Sequence, residues 1–215
     1  MTQYTTIPRI LLAAPGSGAG KTVVTCGLLR VLSRRGLEPV SFKCGPDYID
    51  PMFHRSVLSI DSRNLDMFFM GKEGVLKALE AAKGKASVIE GVMGLYDGTD
   101  VKTSEGSAYE IASATDSPVL LVMPAFGVGR TIGSLILGML SDDPERRIRG
   151  ILLNGMSSSY YEKISAALGE KLQNAGYEAK LLGCIPKIKD LKLDSRHLGL
   201  KLPHEIDDIR EQIDR

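Results

Sequence analysis

Residues Ala14-Pro15-Gly16-Ser17-Gly18-Ala19-Gly20-Lys21-Thr22 lie between a short apolar run and an amphipathic segment, and their types suit a loop that cradles nucleotide phosphates. Glycines let successive backbone N–H groups turn toward one point. Lys21 adds a mobile cation for the β- and γ-phosphates, and Thr22 offers a hydroxyl to Mg2+ at a helix N-terminus. Gly16, Ser17, Gly18, Ala19, Gly20, Lys21 and Thr22 are thus the candidate nucleotide contacts, and ATP with Mg2+ is the expected cofactor pair. One position departs from the G-x-x-x-x-G-K-[ST] pattern, which opens here on Pro15.

Two further segments concentrate carboxylates. In Glu90-Gly91-Val92-Met93-Gly94-Leu95-Tyr96-Asp97-Gly98, Glu90 follows an apolar run and stands where it could share Mg2+ with Thr22, since that ion combines few carboxylates with phosphate oxygens and water. Asp97 reads equally as a catalytic carboxylate or as part of an Asp-Gly turn. Phe42-Lys43-Cys44-Gly45-Pro46-Asp47-Tyr48-Ile49-Asp50-Pro51-Met52-Phe53-His54 reads as a rigid polar loop. There Lys43 could neutralise a transferring phosphoryl group, and Asp47 and Asp50 could assist the metal, orient a nucleophile or merely stabilise turns. His54 reads as a packing or surface residue rather than a base. Ser107 opens a helix over 108–114, where it could meet a substrate carboxylate or simply cap. Asn154 ends a strand, where its amide could pair with adenine or form a turn.

The elements that must position these residues are legible as β-rich runs at 10–13, 40–42, 87–89, 119–122, 150–153 and 180–182, separated mostly by helix-length segments. Alternation of this kind predicts an α/β fold, a mostly parallel sheet with helices on both faces. The three polar segments would then meet at the carboxyl ends of the strands. The 215 residues, 43 % of them apolar, suit one domain. From residue 187 the sequence turns rich in Lys, Asp and Leu and reads as a connector (187–215) following a domain at 1–186, with a solvated helix expected over 205–215.

A formal charge of +1 gives no general attraction to nucleic acid or anionic lipid, so neither is an expected partner. Cys26, Cys44 and Cys184 form no C-x-x-C pair, which argues against zinc and disulfides and fits a reducing cytoplasm. No secretory start and no run of membrane-spanning length is visible. Cys44 has no neighbour in sequence that would make a thiolate, so thiol catalysis is not expected.

Taken together, the phosphate loop, the G-P-D-Y-I-D-P string at 45–51, Arg63-Asn64-Leu65-Asp66, the E-G-V-M-G-L-Y-D-G string at 90–98 and Ser195-Arg196-His197-Leu198-Gly199-Leu200 resemble the synthetase domain of the cobyrinic acid a,c-diamide synthases, P-loop enzymes related in fold to dethiobiotin synthetase. The resemblance implies ATP-dependent amidation of the a and c acetates of a cobyrinate-type corrinoid, through an acyl phosphate attacked by ammonia. Lys21, Lys43, Asp47, Asp50 and Asp97 would then be catalytic, and Thr22, Asp47 and Glu90 would hold the metal. Tyr48, Asn64, Asp66 and Ser107 would face the substrate. Ammonia would come from a glutaminase domain or subunit, for which no sequence follows Arg215, and a homodimer is left open. Gly16 occupies the position of the second phosphate-loop lysine of partitioning ATPases, so activation by an intermolecular lysine is not indicated. A second departure is the strand ending Val122-Met123-Pro124, where the family's pattern leads one to expect an aspartate. The rival readings are a dethiobiotin synthetase-like ligase, another tetrapyrrole amidase and a non-catalytic nucleotide switch.

Overall fold

In a computed structural model that describes residues 7–188 and the short strand pair 195–196 and 199–200, the chain winds a seven-stranded, wholly parallel sheet. Strands β1 (Arg9–Ala13), β2 (Pro39–Cys44), β3 (Ser62–Leu65), β4 (Ala86–Glu90), β5 (Val119–Pro124), β6 (Ile148–Asn154) and β7 (Lys180–Ile185) lie in the order β3-β2-β4-β1-β5-β6-β7. Helices α1 (Lys21–Arg34), α2 (Ile49–Leu58), α3 (Met67–Glu80), α4 (Ala108–Ala114), α5 (Ile132–Ser141) and α6 (Ser158–Asn174) make the crossovers. The short strands β8 (Ser195–Arg196) and β9 (Gly199–Leu200) pair antiparallel. The connector and terminal helix expected over 187–215 lie almost wholly outside the described residues.

The central strand shows why the apolar runs were readable. Leu11, Leu12 and Ala13 of β1 are all fully buried, because a parallel strand is covered on both faces. Side chains alternate across the sheet, which separates two cores. Leu11, Phe42, Ile89, Leu121 and Ile151 pack on one side with Val75 of α3, Ile136 of α5 and Leu172 of α6. Leu12, Val88 and Val122 pack on the other with Val24 and Leu29 of α1 and Phe53 of α2. By the same alternation Lys43 and Glu90, one residue beyond Phe42 and Ile89, face the α1 and α2 side. The register sets Lys43 directly opposite Glu90.

Two elements differ from expectation. The polar stretch Ser62–Leu65 forms an edge strand, paired with β2, and it has none of the apolar density of the other six. The stretch expected to remain loop through His54 becomes α2 from Ile49 onward. Pro51 is accommodated because it sits in the first turn, where backbone N–H groups have no partner within the helix. Asp47 supplies what that turn lacks, its Oδ1 accepting from the N–H groups of Ile49 at 2.8 Å and Asp50 at 3.2 Å. Among the described residues no helix is long and apolar enough to cross a membrane.

Candidate active site

Winding reverses direction across β1, and the loop leaving its carboxyl end enters α1, the position at which open α/β sheets bind ligands. Gly18 and Gly20 take positive φ values of 75° and 89°, the conformation that lets the loop amides curl inward. A side chain at Gly20 would also collide with the Asn154 amide. That amide nitrogen donates to the Ala19 carbonyl at 2.9 Å, so Asn154 ties the end of β6 to the phosphate loop.

Lys21 is buried against the loop and donates from Nζ to the carbonyls of Gly16 at 3.0 Å and Met93 at 2.5 Å. Burial and then the neighbouring Lys43 charge lower its pKa. Thr22 Oγ1 donates to Glu90 Oε1 at 2.6 Å. The same Oε1 accepts from Lys43 Nζ at 2.9 Å, and Lys43 also pairs with Asp50 Oδ2 at 2.6 Å. All three charged side chains are nearly excluded from water. Burial opposes the Lys43 charge, yet Glu90 and Asp50 outweigh it and hold that ammonium well above its usual range. Burial alone would also push the Glu90 carboxyl up, but Lys43 and the Thr22 hydroxyl hold it below the ordinary value. Asp50 is the carboxyl that yields, raised to about 7 by burial and by Glu90. One ammonium thus sits between two carboxyl groups, with Lys21 close by.

For a magnesium ion, the donor chemistry fits. Thr22 Oγ1 and Glu90 Oε1 bring two hard oxygens together beside the phosphate loop. Among the described residues no cluster of three or more His, Cys, Asp or Glu could hold a metal alone. Such an ion would therefore take its remaining ligands from nucleotide and water, the arrangement magnesium favours.

A cavity of about 560 Å3 opens next to this cluster. It is bounded by the residues after β2 (Cys44 to Ile49), by Leu65 to Phe69, and by Val92 and Met93. Tyr48, Phe68 and Phe69 line it while remaining 84 %, 79 % and 72 % exposed, and the two Phe rings meet edge to face at 5.2 Å. Asn64 donates to the carbonyls of Gly45 and Asp47, both at 2.7 Å, fixing the cavity wall. Asp66 lines the cavity and caps α3 through the N–H groups of Phe68 and Phe69. Asp97 accepts from the Gly94 N–H at 2.8 Å and so shapes the loop after β4. Ser107 is fully buried and caps α4 through the Glu110 N–H. The structure thus gathers Lys21, Thr22, Lys43, Asp50 and Glu90 into one cluster. The side chains of Asp47, Asp66, Asp97 and Ser107 hold backbone around it.

With this geometry in view, residues 10–200 match the family model described as the CobQ/CobB/MinD/ParA nucleotide binding domain. The chain belongs to that family. Within it, the chain is 41 % identical over 206 residues to a cobyrinate a,c-diamide synthase of Clostridium acetobutylicum, covering 96 % of this chain and 46 % of that protein. It is 40 % identical over 196 residues to a hydrogenobyrinate a,c-diamide synthase of Streptomyces coelicolor, covering 90 % and 39 %. The chain therefore spans less than half the length of these curated relatives. Among solved structures it is similar to the signal recognition particle 54 kDa protein of Aeropyrum pernix in complex with GDP, with a TM-score of 0.54 and 18 % identity over 86 % of this chain and 43 % of that one. That likeness bears on the fold alone.

Three features of this nucleotide-binding domain escaped the sequence reading. His54, expected as a packing or surface residue, is fully buried, and what was missed is that it faces Glu90. Its spacing of four residues from Asp50 within one helix could have flagged the pair. The Met93 carbonyl as a Lys21 acceptor has no sequence signal, because any residue supplies a carbonyl. Phe68 and Phe69 follow the R-N-L-D string after one residue, Met67, and were open to notice as adjacent aromatics. The buried thiols offer no nucleophile. Burial drives Cys26 far up and Cys44 to about 12.

Proposed function

We propose that this chain is the ATP-using part of an amide-forming ligase that acts on the a and c acetate carboxylates of cobyrinic acid or a closely similar corrinoid. The observation that carries the reading is that one residue, Met93, joins the phosphate-loop lysine to the apolar cavity. Met93 lines that cavity and its carbonyl accepts the Lys21 ammonium, so a carboxylate on a macrocycle seated there would lie next to the γ-phosphate. The two named relatives are synthases of cobyrinate and hydrogenobyrinate diamides, which supports the same class of acid.

A carboxylate is a poor acyl donor. In the proposed reaction its oxygen attacks the γ-phosphorus, the bond to the bridging oxygen breaks and ADP leaves. Ammonia then adds to the acyl carbon, phosphate departs and a proton is lost to give the amide. When bound, magnesium supplies charge neutralisation at the phosphates, with Thr22 and Glu90 as its protein ligands and Asp47 as a further candidate. Lys21 follows the γ-phosphate, and Lys43 stabilises negative charge on the transferring group. Asp50 fixes the position of the Lys43 ammonium. Asp97 and Asn64 keep the flanking loops in shape. Tyr48 and Asp66, which line the cavity, belong to the substrate side, and the buried Ser107 acts through its cap on α4.

Incubation of the chain with Mg-ATP, an ammonium salt and cobyrinic acid, followed by mass spectrometry, tests the reading. The expected products carry one and two amides, with ADP release that requires the acid. A parallel sample with the dethiobiotin precursor and bicarbonate should stay unchanged. Product there instead would favour a dethiobiotin synthetase-like ligase. Tight ATP binding without turnover on any acid would favour a nucleotide switch.

A further inference from the structure

Behind the Thr22–Glu90 contact lies a buried polar cluster that phosphate chemistry does not use. His54 on α2 is fully buried. Its Nδ1 lies 2.9 Å from Ser41 Oγ on β2 and 3.4 Å from Ser62 Oγ on β3. On the other side of the ring, Nε2 faces Glu90 Oε2 at 3.7 Å, and neither of these two atoms has a hydrogen-bond partner. A neutral imidazole carries a single N–H, on one nitrogen or the other.

The tautomer follows from what each nitrogen faces. Serine hydroxyls can donate to Nδ1, whereas an ionised carboxylate oxygen can only accept. With the proton on Nδ1, the Nε2 lone pair would confront Oε2, and two buried polar atoms would be left repelling each other. With the proton on Nε2, Ser41 donates into Nδ1 and the ring N–H aims at Oε2. The approach needed to reach an ordinary hydrogen-bond length of about 2.9 Å is under about 1 Å.

We propose that His54 is a positioning residue for Glu90. Its Nε2–H holds Oε2 toward the protein interior, so that Oε1 is the oxygen presented to Thr22 and to the magnesium of a bound nucleotide. The inference rests on the metal–nucleotide part of the reading above and is independent of which acid is amidated. Partners that orient a ligating group in this way are worth about 10–100-fold in metal affinity.

The test is the ratio of dissociation constants for a non-hydrolysable ATP analogue without and with saturating Mg2+, measured by calorimetry on the full chain. His54→Gln keeps an N–H near the Nε2 position and is expected to retain the wild-type ratio. His54→Asn cannot reach, and His54→Phe fills the space without a donor. Both are expected to lower the ratio about 10–100-fold while metal-free binding is unchanged. The proposal is overturned if Asn and Phe retain the wild-type ratio, if Gln falls as far as Phe, or if all three weaken binding equally with and without Mg2+, which would mean packing alone. Should the His54 variants fail to fold, Ser41→Ala takes their place. A lowered ratio supports the proposal, and an unchanged one overturns it. A wild-type chain whose nucleotide affinity ignores Mg2+ would instead sink the functional reading itself, and this inference with it.

Discussion

Thr22 Oγ1 and Glu90 Oε1 stand 2.6 Å apart, which joins the first turn of α1 to the last residue of β4. The two residues are 68 positions apart in sequence and meet because β1 and β4 are adjacent, with Leu12 paired to Glu90. Both oxygens thereby reach the same end of the sheet as the loop glycines.

Replacing Glu90 by Gln removes the charge but keeps the shape. Lys43 retains Asp50 as a counter-ion at 2.6 Å, so no isolated buried cation is created and the fold should survive. Turnover is expected to fall roughly 100-fold or more at ordinary Mg2+, with partial recovery as Mg2+ is raised. Steady-state ADP release across an Mg2+ series measures this, and a wild-type profile would remove Glu90 from the metal site.

Lys21→Ala deletes the cation that now rests on the Gly16 and Met93 carbonyls. Those carbonyls belong to turns that water can reach once the side chain is gone, so the stability change should be small. Turnover is expected to drop by about 100–1,000-fold, as when one stabilising donor is removed from a site of developing charge. Rates near wild type would exclude Lys21 from phosphoryl transfer.

Lys43→Met leaves Asp50 and Glu90 buried without their shared counter-ion. Breaking a buried pair in this way costs about 3–5 kcal/mol. The pH dependence has a definite sign. In the wild type the Asp50 carboxyl is already raised from 3.8 to about 7, so between those values the folded chain binds more protons than the unfolded one and stability falls as pH rises. Loss of Lys43 raises that carboxyl further and carries the fall to higher pH. Urea unfolding should therefore show a larger penalty for the variant at pH 8 than at pH 5. An equal penalty at both would contradict the assigned charge arrangement.

The sequence told most where one physical signal dominated. Six strands were legible because parallel strands covered on both faces must be apolar throughout, as in Leu11, Leu12 and Ala13. The edge strand β3 was not. Of its four residues only Leu65 belongs to the apolar core. Ser62 points to His54 and Asn64 bonds two loop carbonyls, so its pattern is that of a polar loop. The phosphate loop and Glu90 could be read from residue type and position. The pairing of Asp50 with Lys43 could not be separated in advance from a role for Asp47, because both flank the same turn. Which one caps and which one reaches across to β2 is decided only when α2 starts at Ile49.

Phe68 and Phe69 are costly to leave in water unless something covers them, and they flank a break in α3 at Gly71, whose φ is 61°. If they meet a macrocycle, Phe68→Ala and Phe69→Ala should each raise KM for the corrinoid several-fold, in line with about 0.5–1.5 kcal/mol for an aromatic contact. The melting temperature should barely move, since exposed rings contribute little to the folded state. An unchanged KM would take both rings out of the substrate pocket.

At the opposite end of the sheet, Asp143 does structural work that can be separated from catalysis. It is buried just after α5, and its carboxylate accepts from Tyr109 Oη at 2.8 Å, from the Arg147 N–H at 2.8 Å and from the Ile148 N–H at 2.7 Å. These bonds tie α4 to the start of β6. Asp143→Ala leaves three donors without their acceptor, and a loss of about 3 kcal/mol or more is expected at about 1–3 kcal/mol for each unsatisfied group. Asp143→Asn keeps one acceptor oxygen and should lose less. Because the phosphate loop lies at the carboxyl ends of the strands and Asp143 precedes β6, ATP affinity at a temperature where both variants are folded should match wild type. Urea unfolding measures the first effect and calorimetric ATP titration the second. A variant that unfolds as the wild type does would show that these three bonds are replaced by water.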